Sequence, residues 1–206
     1  MTIVELLVVI GIFTIISVII IFDYGKFRST SSLQNLADDI ALSVRKAQSF
    51  AIGVRGTNND FSPGYGVHFS IDPVSDAYSG TNRSFILFAN ISNLLNYDNN
   101  GLCGINNLNV GNECLEELAV TSSDKITSII YNDGSEKTLV IGDTIDIFFQ
   151  RPNPEPTFCY KESGNIESLS CDAENISSVK IIIKNDANPG YVKTITIYNN
   201  GQISVT

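Results

Sequence analysis

Three sets of residues in this chain carry side chains and spacings that could do chemistry. The first is a lone carboxylate. "MTIVELLVVIGIFTIISVIIIF" (residues 1–22) has Glu5 as its one charged side chain. An ionisable group in a lipid-ready segment costs about 2.5–3.5 kcal/mol on insertion scales, and such groups usually mark a function. The second set is Cys103, Cys114, Cys159 and Cys171. None stands in a CxxC pair, and the single histidine, His68, is remote in sequence, so a zinc site is a poor reading. An even count behind a membrane-directed segment reads as two disulfides in an oxidising compartment, with four buried thiols as the alternative. Short loops close at the lowest entropy cost, which favours Cys103–Cys114 and Cys159–Cys171, each bridge pinning a loop. The third set is acidic. Asp72 with Asp76, and Asp143 with Asp146, have the oxygen ligands calcium prefers, but their spacing matches no known loop and a solvated face is preferred. His68, between Val67 and Phe69, reads as structural.

No GxSxG, HExxH, phosphate-cradling glycine loop or EF-hand pattern occurs. The expectation is no enzyme, no cofactor and no metal. The formal charge is −9, and residues 1–26 contribute only Glu5, Asp23 and Lys26 to it. So acidic a remainder repels phosphate, and no direct nucleic-acid binding is expected. Asn82, Asn90 and Asn175 open N-glycosylation triplets, which arise by chance in an asparagine-rich chain.

The elements that must position these residues change character along the chain. Leu6 to Phe22 is uncharged, and with Met1 to Val4 it reaches the roughly 17–25 residues that cross a bilayer as a helix. Its β-branched residues disfavour helix in water, but in lipid the backbone must satisfy itself. No basic residue precedes it and Asp23-Tyr24-Gly25-Lys26 follows, which is unlike a cleaved signal peptide. From residue 26, Leu33, Leu36, Ala37, Ile40, Ala41, Val44, Ala47 and Ala51 recur at three- and four-residue steps. They form one helical stripe that ends at Gly53 and Gly56 and packs on a sheet. A continuous helix would run about 75 Å. Beyond it the chain reads as seven or eight strands, including "GVHFSI", "FILFA", "TIDIFF" and "SVKIIIK", with turns at Asp133-Gly134 and Asn200-Gly201. Residues 90–117 are asparagine-rich and read as a surface excursion. The fold class is α+β: a long N-terminal helix, apolar first and amphipathic second, on a mainly antiparallel sheet. The organisation is 1–25, an apolar helix, and 26–206, a head containing the helix 26–53.

"MTIVELLVVIGIFTIISVII" resembles the mature N-terminus of type IV pilins and type II secretion pseudopilins. In that family a prepilin peptidase cuts after a glycine, the new terminal residue is N-methylated, and a glutamate stands fifth. The resemblance makes Met1 the processed, N-methylated terminus. It makes Glu5 the assembly residue, paired with the terminal amine of a neighbouring subunit, with the Thr2 hydroxyl as a further hydrogen-bond donor. Many pilins have a proline near position 22, where this chain has Phe22, so helix is expected through residues 15–24 with any break near Gly25. The helix of the head and the closing hairpin also resemble the GspH/FimT-like members. The resemblance implies a structural subunit of a helical filament built by the pilus assembly machinery, and the chain is read as its major pilin. Such a subunit is held in the inner membrane before assembly and lies at the cell surface after it. Adhesion, motility, secretion and DNA uptake depend on other components. The alternatives are a minor pilin or GspH-like pseudopilin of a secretion or DNA-uptake system, and a membrane-anchored monomeric binding domain.

Overall fold

The computed structural model describes residues 2–53, 64–74, 80–91, 96–97, 103, 113–162, 169–171 and 176–206. Met1, Gly56, Asp76, Asn175 and most of the asparagine-rich stretch lie outside the described residues.

A single helix, α1 (Ile3–Ile52), is 50 residues long. It is long and apolar enough to cross a membrane. It runs unbroken through Phe22 and Gly25, so the change from apolar spine to head is a change of surroundings and not of backbone. With no proline, every interior residue keeps its amide donor. From Ile3 to Ile21 the large apolar side chains are exposed, whereas Leu33, Leu36, Ala37, Ile40, Ala41, Val44, Ala47 and Ala51 are buried. That second set is the stripe read from the sequence. Gly53 caps the helix with φ −70°, and its N–H donates to the Ser49 carbonyl at 2.8 Å. The stop therefore uses extended backbone rather than the left-handed turn that favours glycine.

The strands that follow are β1 (Tyr65–Ser70), β2 (Ser84–Ala89), β3 (Cys114–Ala119), β4 (Asp124–Asn132), β5 (Glu136–Thr138) and β6 (Thr144–Phe149). Then come β7 (Pro156–Lys161), β8 (Leu169–Cys171), β9 (Ser178–Asn185), β10 (Val192–Tyr198) and β11 (Ile203–Val205). They form two antiparallel sheets, in the orders β3-β2-β1-β6-β7-β8 and β11-β10-β9-β4-β5. The α+β class holds, but the one sheet expected is two. Three strands are absent from the set read in the sequence. β3 ("CLEELA") and β8 are edge strands with weak patterns of their own, and β7 begins at a proline; cross-strand pairing, not local preference, makes them strands.

α1 and both sheets share one core. Along β2, Phe85, Leu87 and Ala89 enter that core, while Ile86 and Phe88 enter a second cluster with Tyr97, Cys114 and Phe148. All six residues of β1 and of β2 are buried, which is why "FILFA" is continuously apolar instead of alternating. The excursion read as surface thus reaches inward: Asn90, Tyr97 and Glu113 are buried.

Polar contacts fasten the helix to the second sheet where it enters the head. Asp124, fully buried, accepts from the hydroxyls of Ser32 on α1 and Ser122 (2.6 Å), and from Asn185 Nδ2 (2.6 Å), its cross-strand neighbour. Asn188 Nδ2 donates to Ser29 Oγ at 2.8 Å. On the nearby surface, Asp186 bonds both Lys125 and Arg83 at 2.6 Å. The Lys125 hydrogen bond, above all, holds the Asp186 carboxyl below its ordinary pKa.

Two outcomes follow from this polar seam. Asp124→Ala leaves three donors, the buried Asn185 amide among them, without their acceptor and should lower head stability by about 3 kcal/mol. Denaturant unfolding of the full chain in detergent, followed by circular dichroism, measures this; an unchanged midpoint contradicts it. Because the folded pKa of Asp186 is depressed, its contribution is present above the ordinary carboxylate pKa and is lost as pH falls through the depressed value. Asp186→Asn should therefore flatten the acid limb of the stability profile and leave the limb above neutrality unchanged.

Candidate functional site

The first turn of α1 holds the carboxylate singled out by the sequence. Thr2 caps the helix with φ −88° and ψ 154°, outside the helical region. Its side-chain oxygen accepts from the Glu5 N–H at 3.3 Å, and the Thr2 N–H donates to Glu5 Oε2 at 2.7 Å. This is a capping box. Each side chain satisfies an amide that the helix itself leaves unpaired, and the carboxylate lies at the positive end of the helix dipole. The Thr2 hydroxyl thus serves the Glu5 backbone, and the bond to the carboxylate comes from the Thr2 backbone. The signal was present as Thr-x-x-Glu at residues 2–5, the spacing of a capping box.

Glu5 remains exposed, and so do the apolar side chains that follow it. A carboxylate has about four lone-pair positions, so one amide bond leaves capacity for another donor. No Lys or Arg precedes Lys26, about 31 Å away along the helix. Met1 lies outside the described residues, so its amine is not placed relative to Glu5.

The other sequence-derived residues fall into different places. His68 and Asp146 are cross-strand neighbours on β1 and β6, both buried, with Nδ1 2.6 Å from Oδ1. The Tyr97 N–H donates to the other oxygen of Asp146 at 3.1 Å, and the Tyr97 ring lies 5.1 Å from that of His68. Asp143, also buried, accepts from the Val140 N–H at 2.8 Å and so closes the turn into β6. The solvated-face reading of these two aspartates is corrected: they point into the second cluster and into a turn. Asp72, partly exposed, accepts from the Val74 N–H at 2.9 Å. Among the described residues no three His, Cys, Asp or Glu side chains gather as a metal would require.

The cysteines are joined Cys103–Cys114 and Cys159–Cys171. They pin more than loops. Cys114 begins β3, one edge of the first sheet, and Cys159 faces Cys171 across β7 and β8, the other edge. Asn82 is half-buried and Asn90 is buried, which leaves no room for a glycan on Asn90 in the folded head. The residue that sequence reading missed altogether is Asp124, two of whose three partners are 92 and 61 positions away.

No family model matches the chain, and no curated protein or solved structure matches it.

The Asp146 bridge ties the asparagine-rich excursion to the sheet. Asp146→Ala should release Tyr97, so limited proteolysis should cut within residues 98–112 sooner than in the parent while α1 stays protected. Equal cleavage rates would show that packing alone holds the segment. Peptide mapping of the unreduced protein should recover the two short-range cystine pairs; a peptide linking the two loop regions contradicts this connectivity.

Proposed function

We propose that the chain is a structural subunit, the major pilin, of a type IV pilus-like filament. The observation that carries this reading is the uncovered half of α1. Fifteen large apolar side chains between Ile3 and Ile21 are exposed, on a rod continuous with the head. Burying each contributes about 1.5–3 kcal/mol, so the rod requires an apolar environment. A bilayer supplies one before assembly, and a bundle of identical rods supplies another after it. Glu5 selects between the two. In a plain anchor the carboxylate serves only the capping box with Thr2, whereas a bundle can also pair it with the terminal amine of a neighbour, cationic at neutral pH with an ordinary pKa of about 8. The pilin resemblance of residues 1–20 and the single helix followed by an antiparallel head support the reading. Prepilin peptidase and the pilus assembly machinery are the partners it implies.

Glu5→Ala should leave the head folded, since among the described residues the hydrogen bonds of the Glu5 side chain stay within the first helical turn, and should abolish filaments. Breaking one partner of a buried pair costs about 3–5 kcal/mol, repeated at every subunit. The test is electron microscopy of sheared cell-surface material with identification of its protein. In the parent this chain should be the main component; in the variant it should accumulate in the membrane as monomer. Filaments at parental yield in the variant would return the chain to a membrane-anchored monomeric domain.

A further inference from the structure

Where α1 enters the head, loops β3–β4 and β9–β10 stand beside it and enclose a groove of about 510 Å³. Its lining includes Lys26, Arg28, Ser29, Thr121, Ser123 and Asn188. These side chains offer hydroxyls, an amide and two cations. Of the described carboxylates beside the two loops, Asp124 is engaged by Ser32, Ser122 and Asn185, and Asp186 by Arg83 and Lys125. Neither Lys26 nor Arg28 forms an ion pair among the described residues. Between Glu5 and Asp38 the charged residues are Asp23, Lys26 and Arg28, so this is a locally positive stretch in a chain of net −9.

The position of the groove along the rod selects its ligand. From Ile3 to Tyr24 the helix rises about 32 Å, which matches a hydrocarbon core about 30 Å thick. Tyr24, Lys26, Phe27 and Arg28 then fall at the headgroup level, and all four are exposed. Aromatic rings beside cations are the composition of a water–lipid boundary. We propose that this collar groove binds the phosphate of an anionic phospholipid, Lys26 and Arg28 contacting the phosphodiester oxygens and the hydroxyls of Thr121 and Ser123, with the second amide hydrogen of Asn188, donating to the headgroup. The inference rests on the membrane-resident state in the proposed function. It gives that state a registry device: the helix is fixed in depth by a headgroup on the head side, while Glu5 lies near the opposite boundary.

The experiment uses the full chain. Flotation with phosphatidylcholine vesicles, followed by an alkaline wash, reports insertion alone. Native mass spectrometry of the detergent-solubilised chain, titrated with phosphatidylglycerol or phosphatidylcholine, reports headgroup selection. The parent should prefer phosphatidylglycerol by about thirtyfold, the effect of two surface cations at about 1 kcal/mol each. The double variant Lys26→Gln/Arg28→Gln should insert normally and lose the preference, whereas Lys137→Gln, on the β5 strand away from the groove, should keep it. Insertion with equal binding of both lipids by the parent overturns the groove assignment and leaves the spanning helix standing. Failure to insert at all overturns both. A double variant that keeps the lipid preference but no longer forms filaments assigns the groove to a second copy of the chain and overturns the lipid assignment.

Discussion

One helix must satisfy two solvents without a joint. Its first half presents apolar side chains on every side, and its second half seals a stripe into the head. The backbone between them is unbroken. A hinge would let the head decouple from the spine. Here the polar seam at Ser29 and Ser32 joins the helix to β4, β9 and the loop after β9 just beyond the exposed segment. The free energy that burial of the exposed half can supply, at about 1.5–3 kcal/mol per side chain, exceeds the whole folding margin of a typical domain, about 5–15 kcal/mol. Whatever environment receives the rod therefore governs where the head sits.

The head answers with an arrangement that keeps its own apolar surface inward. The first sheet has the shared core on one face and the Tyr97 cluster on the other, so its central strands have no wet side. Covering the second face requires a long connection between β2 and β3, and the structure fastens that connection at Asp146 and at Cys114. The two bridges sit at the two edges of this sheet, where unpaired backbone groups would otherwise invite another strand.

The helix was legible because both of its halves are written in one-dimensional patterns: an uninterrupted apolar run, and a stripe at three- and four-residue steps. The Asn200-Gly201 turn was legible for the same local reason, and Gly201 takes φ +80° there. What escaped was non-local. Nothing in "CLEELA" marks an edge strand; the pairing of Leu118 with Phe85 and Glu117 with Ile86 makes it one. Asp143 and Asp146 looked like solvated carboxylates because composition does not reveal that a histidine on β1 stands opposite Asp146. Asp124 was invisible because its value lies in three partners drawn from separate elements. The Thr2–Glu5 box was local and readable, but the carboxylate drew attention to its charge rather than to its distance from Thr2.

That box changes the energetic argument for Glu5. A bare carboxylate in lipid would drive assembly simply by being unsatisfied. Here the carboxylate already accepts an amide hydrogen bond and lies at the favourable end of the helix dipole. The membrane state is correspondingly less penalised, while in the proposed filament loss of the carboxylate would still leave the neighbour's buried amine without its partner. The bond already made with Thr2 has a physical use. It lets the chain reside in the membrane without aggregating, since an exposed and wholly unpaired charge would seek any donor. It also makes the choice of partner depend on geometry, because only a terminal amine at the depth of the first helical turn can add to the bond that Thr2 already provides. In the proposed filament the apolar rows would supply most of the binding free energy, and the carboxylate the register in which they are buried.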